Sequence, residues 1–255
     1  MRTSTFHRTA AVSPGAGLHS RYATTGGHRT SRGISMKYFL ASVALALTAH
    51  ADLVIHRQAQ KLPFDYQGPF ARLGDGSILG IDPKGAGVSK DEGRTWEPRR
   101  IFDPAKFETR GGALLRTRAG VVLFAFHNSK EAVLKWDQAK GGPQEGSRVP
   151  LYFSRSADDG KTWAAPVLLQ DGWCGAVRNM IQLRGGRVYL VCQKAVRDPG
   201  RHVTINYYSD DEGRTWKPSE SIDLGEYGGY GDHGGGIEGT VIERRDGSLK
   251  LLLRT

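Results

Sequence analysis

The stretch "SKDEGRTW" occupies residues 89–96, and nearly the same eight residues return as "SADDGKTW" at 156–163 and "SDDEGRTW" at 209–216. Self-similarity of this kind decides an architecture, because each copy marks one unit of a repeated layout. All three copies fit S-x-D-x-G-x-T-W, and each position has a task at a tight turn between two strands. Asp91, Asp158 and Asp211 offer side-chain oxygens to nearby backbone N–H groups. Gly93, Gly160 and Gly213 supply the positive φ that such a turn demands. Trp96, Trp163 and Trp216 then bury a large surface as the chain re-enters a strand. Three of the five tryptophans are used this way, which gives the repeat a structural role. It does not read as a calcium loop, which needs oxygen ligands over about twelve residues and a closing Glu. No Cys/His cluster suggests zinc and no phosphate loop is visible, so neither metal nor cofactor is expected.

A second element recurs ahead of the octapeptides: an apolar run, a short polar turn and another apolar run. These are "FARLGDGSILGI" from Phe70, "ALLRTRAGVVLFAF" from Ala113, "MIQLRGGRVYLVC" from Met180 and "TVIERRDGSLKLLL" from Thr240. Turn pairs such as Asp75 with Gly76 and Asp246 with Gly247, flanked by strand-like runs, signal hairpins. Hairpin, third strand, octapeptide turn and fourth strand make one four-stranded unit. Units of this sort arranged radially give a β-propeller, each blade burying its faces against its neighbours. The expected fold class is therefore all-β. The fourth hairpin, around Gly247, has eight residues after it, whereas the shortest interval from hairpin glycine to octapeptide is 13, from Gly76 to Ser89. About three and a half blades are expected, with an open strand edge on the last.

The first fifth of the chain reads differently. Residues 1–35 contain no acidic residue and read as a basic extension upstream of the true start. "MKYFLASVALALTAHA", from Met36, has a lysine, an apolar stretch and small residues at Ala49 and Ala51, the signature of a secretory signal at 36–51. Its apolar stretch is too short for a membrane span, which needs roughly 20 residues. The propeller portion is assigned to 52–255, and the protein is expected to be secreted or periplasmic. The first 51 residues carry six of the 36 Lys and Arg and no acidic residue, so 30 basic residues stand against 26 acidic ones in the remainder. That balance is too mild for a nucleic-acid partner, which calls for a concentrated basic face. Cys174 and Cys192 are the only cysteines, too few for a disulfide framework, and the sequence leaves open both a single bridge in an exported protein and two unpaired buried thiols. Oligomeric state is left open by the sequence.

The octapeptide is the Asp-box, and from about Phe64 to Thr255 the chain resembles the sialidase-like BNR-repeat β-propellers, which are six-bladed. The resemblance implies an exported glycoside hydrolase acting on terminal acidic sugars of glycans. In "GDHGGGIEGTVIERRDGSLKLLLRT", Glu238 lies 16 residues before Arg254, with an Asp-Gly hairpin between them, so both stand on adjacent strands near one end of a blade. The resemblance gives Glu238 the task of polarising a nucleophilic Tyr, expected beyond Thr255, and gives Arg254 that of clamping a substrate carboxylate. A guanidinium offers paired donors to a carboxylate, and a phenol near pKa 10 needs a carboxylate beside it to attack near neutrality. Arg110 has the right spacing to its own hairpin for a second clamp, one blade later than the family pattern. The family's first clamp arginine is replaced by Gln67. Asp82 occupies the segment of the general acid, although Asp-Pro also reads as a plain turn, and Asp137 and Glu145 are fallback acids.

His233, in a glycine-rich loop before Glu238, reads either as a sugar ligand or acid–base group or as part of a flexible connection. Two other readings stay open: a propeller polysaccharide hydrolase or lyase built around His233, and a noncatalytic carbohydrate-binding propeller.

Overall fold

In the computed structural model each octapeptide closes a turn through one set of bonds. Asp91 Oδ1 accepts from Thr95 N at 2.8 Å and from Ser89 Oγ at 2.8 Å, while Gly93 N donates to Ser89 Oγ at 2.7 Å. Asp158 and Asp211 repeat these bonds with Thr162 and Ser156 and with Thr215 and Ser209. The residues Glu92, Asp159 and Glu212 and the glycines after them all take φ between 56° and 86°. The threonine backbone N–H and hydroxyl hold the Asp91 carboxyl at about 2, and the Thr162 hydroxyl and N–H do the same for Asp158. At Asp211 burial pushes upward, and the Thr215 bonds overcome it to reach about 2. These carboxylates therefore stay ionised and keep accepting throughout the neutral range.

The structure describes residues 68–83, 85–231 and 233–255, within one compact unit. The signal-like segment 36–51, the basic extension and Gln67 lie outside the described residues. The strands are β1 (Phe70–Arg72), β2 (Ile78–Asp82), β3 (Gly85–Ser89), β4 (Glu97–Arg99), β5 (Thr109–Arg116), β6 (Val122–Asn128), β7 (Trp136–Asp137) and β8 (Gly142–Pro143). They continue as β9 (Leu151–Ser156), β10 (Val167–Gln170), β11 (Asn179–Gln182), β12 (Val188–Arg197), β13 (Gly200–Ser209), β14 (Lys217–Pro218), β15 (Ile237–Glu243) and β16 (Leu249–Arg254). Three four-stranded antiparallel sheets result, ordered β1-β2-β3-β4, β5-β6-β9-β10 and β11-β12-β13-β14, followed by the pair β15-β16. Each sheet is the hairpin, third strand, octapeptide and fourth strand of one sequence unit. The first strands β1, β5, β11 and β15 lie beside one another in that order, as the inner strands of successive blades do. The fold is an all-β, sialidase-like propeller arrangement, with three blades and a two-stranded fourth among the described residues.

Period-two alternation explains how the blades adhere. Val122, Phe124 and Phe126 of β6 face blade one, where they join Leu79, Ile81 and Val88, with Trp163 packed on the cluster. Leu123 and Ala125 face blade three and join Val188, Leu190 and Ile205, with Trp216 packed there. Trp163 and Trp216 are thus partly buried against the blade before their own, and Trp216 meets Phe153 edge-on with ring centroids 4.7 Å apart.

Polar ties join the same ends of the blades. The turn N–H groups of Gly74, Arg118 and Arg184 donate to Asp159, Gln182 and Glu243 of the next blade at 2.6, 2.8 and 2.8 Å. These turns and the octapeptides share one end of the sheets. The opposite end carries the β2–β3 turn, the long β12–β13 hairpin and the β7–β8 ribbon. Cys174 and Cys192 are both buried free thiols.

Candidate functional site

At the end opposite the octapeptides, the inner strands β5 and β15 contain the same irregularity. Arg110 pairs with His127 and Ala113 with Ala125, while Ile237 pairs with Arg254 and Thr240 with Leu252. In both, two residues on the inner strand oppose one on its partner, which is a β-bulge that re-aims a side chain. The bulged residues are Gly111, with φ 58°, and Glu238, with φ 51°. Glu238 therefore adopts a left-handed conformation that a non-glycine residue holds only where surrounding contacts impose it.

Those contacts come from two blades. Glu238 Oε1 accepts from Arg178 Nη2 at 2.8 Å and Oε2 accepts from Arg254 Nη1 at 3.0 Å. Its backbone N–H donates to Gln193 Oε1 at 2.7 Å, and Gln193, 5% exposed, places its amide nitrogen 3.2 Å from His202 Nδ1. Glu238 is one-third exposed and both arginines about half exposed, so the group faces solvent from one side. The hydrogen bond from Arg178 holds the Glu238 carboxyl below the usual glutamate range; burial opposes this, and the charges of Arg178 and Arg254 reinforce it. A carboxylate so held is an anion that orients, attracts cationic charge or accepts a proton, and is a poor proton donor.

His233 joins the group through Arg254, whose Nη2 lies 3.2 Å from His233 Nδ1. A guanidinium only donates, so Nδ1 is the acceptor there. Arg110 stands at the same end of β5, exposed and in no ion pair among the described residues, across from His127. His127 is buried, and that burial pushes its imidazole below the ordinary range, the Arg110 charge adding to the effect while the Pro150 carbonyl opposes it. Asp82 lies at the same end of blade one, buried, with Oδ1 accepting from Gly85 N at 2.8 Å and its carbonyl accepting from Thr109 Oγ1 at 2.8 Å. It closes the β2–β3 turn and ties blade one to β5. Asp137 caps its own turn through Ala139 and Lys140, and Glu145 is exposed.

Sequence reasoning missed Arg178 and Gln193. A signal for Arg178 exists in its spacing: it lies eight residues before Gly186, as Glu238 lies nine before Gly247 and Arg110 ten before Gly120. Among the described residues no group of three or more His, Cys, Asp or Glu side chains is placed to hold a metal ion, and no helix is long and apolar enough to cross a membrane.

Residues 87–255 match the family described as the BNR repeat-like domain. A sialidase of Micromonospora viridifaciens is 27% identical over 178 residues, which cover 59% of this chain and 27% of the sialidase. A crystal structure of a protein of unknown function from Dyadobacter fermentans superposes with a TM-score of 0.53 at 22% identity, over 72% of this chain and 60% of that one. An alpha-L-arabinanase from Penicillium chrysogenum is similar at a TM-score of 0.48 and 17% identity, over 74% of this chain and 58% of that one. The chain thus spans 27% of the sialidase's length and 60% of the Dyadobacter protein's.

Proposed function

The chain belongs to the BNR repeat-like family, and on that premise we propose that it is a sialidase-like glycoside hydrolase, or the part of one that carries Glu238 and Arg254, acting on terminal acidic sugars of glycans. The observation that carries this reading is the Glu238 carboxylate held between Arg178 and Arg254 at the end of the inner strands. An ionised carboxylate there polarises a hydroxyl nucleophile, and a guanidinium beside it pairs with a sugar carboxylate through two parallel donors. Arg110, two blades away at the same end, supplies a further cation for the same anion.

In this mechanism Glu238 acts by drawing the proton from a hydroxyl brought against it, so that the oxygen attacks the anomeric carbon as the leaving oxygen takes up a proton. Sialidases are the exception among glycosidases in using a Tyr nucleophile in place of a carboxylate. Asp82, buried at the same end of blade one, is the proposed general acid, and His233, fixed beside Arg254, is the proposed contact to a sugar hydroxyl. We also propose that the protein is exported, the segment 36–51 being removed, and an N-terminus near Asp52 on the exported protein checks this by mass spectrometry.

The deciding experiment measures free sugar released from sialylated and other acidic glycans by the full-length protein and by Glu238→Gln. A loss of about 10²–10⁴-fold is expected. Equal release by both proteins removes Glu238 from the mechanism. Binding of the glycan with no release by either protein supports the noncatalytic carbohydrate-binding reading instead.

A further inference from the structure

A second concave site lies on the other face of the β12–β13 hairpin from Glu238. Gln193 of β12 reaches Glu238, and strand alternation turns the next residue, Lys194, to the opposite face. There the hairpin meets the segment between β6 and β9, with Gly142 against Gly200 and the backbone of Arg197. The resulting cleft has a volume of about 230 Å³ and is lined by Trp173, Lys194, Arg197, Asp171, Ser147 and Pro143.

The charges in this cleft do not cancel. Asp171 is already paired with Arg148 at 2.6 Å, an interaction that holds its carboxyl below the ordinary range. Ser147 Oγ is committed to the Lys135 carbonyl. Lys194 and Arg197 make no ion pair among the described residues, so two cations face the cavity with no anion of their own. The Trp173 ring packs on Trp136, with ring centroids 5.5 Å apart; its carbonyl accepts from Ala195 N at 3.0 Å, and its chain neighbours Gly172 and Cys174 bond to the Val149 backbone. An aromatic wall held rigidly beside two cations suits a ring with an apolar face and an anionic substituent. The volume falls below the about 300 Å³ at which drug-sized ligand pockets begin, which suits a single ring.

We propose that this cleft is an accessory binding site for a single carboxylate-bearing sugar residue, which lies on Trp173 with its carboxylate toward Lys194 and Arg197. The inference rests on the reading of the chain as glycan-directed, and it adds a contact that retains an acidic glycan apart from the Glu238 site.

Binding is tested by saturation-transfer NMR on the full-length protein with D-glucuronate and D-glucose as probes, in parallel with the hydrolysis assay. Transfer to glucuronate is expected to exceed that to glucose and to weaken as salt is raised. It is expected to persist in the Glu238→Gln, Arg254→Ala double variant, the background in which the cleft variants are made, and to disappear there when Trp173→Ala is added. Because Trp173 packs on Trp136, the surface variant Lys194→Ala with Arg197→Ala provides an independent arm, in which glucuronate transfer drops to the glucose level. Transfer that survives both cleft variants, equal transfer from the two sugars, or no transfer at all overturns the proposal. Glucuronate binding that vanishes only in the Glu238 and Arg254 variant overturns it while leaving the Glu238 site standing. Cleft binding without any hydrolysis counts against the catalytic reading alone.

Discussion

Glu238 holds a left-handed backbone conformation at a place where the equivalent bulge in β5 uses Gly111. A side chain at such a φ costs on the order of 1 kcal/mol that glycine avoids. Removing the carboxylate leaves Arg178 and Arg254 about half exposed and hydrated, which costs little. The variant Glu238→Gly is therefore expected to be as stable as the parent or about 1 kcal/mol more stable in urea denaturation, while sugar release is lost. Clear destabilisation would show that the pairing, rather than the chemistry, keeps Glu at this position. Arg178 gives a second prediction. Its hydrogen bond is the leading cause of the lowered Glu238 pKa, so the carboxylate stays ionised to lower pH than an ordinary glutamate. In Arg178→Ala the pKa returns upward, and the acid limb of the pH–rate profile moves to higher pH; an unmoved limb assigns that limb to another group. The Glu238–Arg254 pair was legible in the sequence because one hairpin carries both residues. Arg178 and Gln193 arrive from the neighbouring blade: the spacing of Arg178 to Gly186 marks its place on its own blade, but nothing short-range says which side chain of the next blade it meets.

At the scale of elements, the octapeptide turns were legible because each residue type answers a local demand, and the structure forms all three with the same bonds. The packing of each turn against a neighbouring blade is a tertiary fact that local chemistry does not express, and glycine substitutions separate the two. At Gly247 the φ is +83° and nothing lies within 4 Å of an added Cβ, so Gly247→Ala meets only the backbone penalty of about 1 kcal/mol. At Gly213 the φ is +76° and an added Cβ falls 2.8 Å from Leu123 and 2.9 Å from Phe153, within the contact between blades two and three. Overpacking there adds about 1–3 kcal/mol. Chemical denaturation of the two variants is expected to rank Gly213→Ala well below Gly247→Ala; equal losses would mean that the interface yields freely. The β7–β8 ribbon was equally hidden from sequence reading, since its position depends on the close approach of Gly142 to Gly200 rather than on a strand pattern of its own.

Across the whole molecule, cohesion comes from each blade covering one apolar face of the blade before it. On β6 the residue five places after the turn glycine is Ala125, fully buried against blade three. The same place on β16 is Leu252, which is 52% exposed, and Ile242 on β15 beside it is 53% exposed. Among the described residues β16 has β15 as its one hydrogen-bonded neighbour, so an apolar face and an unpaired strand edge occur together. That combination favours association with another strand or another copy of the chain. Lys250, exposed in the same strand, supplies one charge against it. A second charge on the bare face tests the argument: Leu252→Lys is expected to shift the 255-residue chain toward monomer in sedimentation velocity without lowering its melting temperature, because the replaced side chain contributes little buried area. If the parent chain already sediments as a monomer at micromolar concentration, that face is not adhesive, and the idea that blade-on-blade burial governs association in this propeller fails with it.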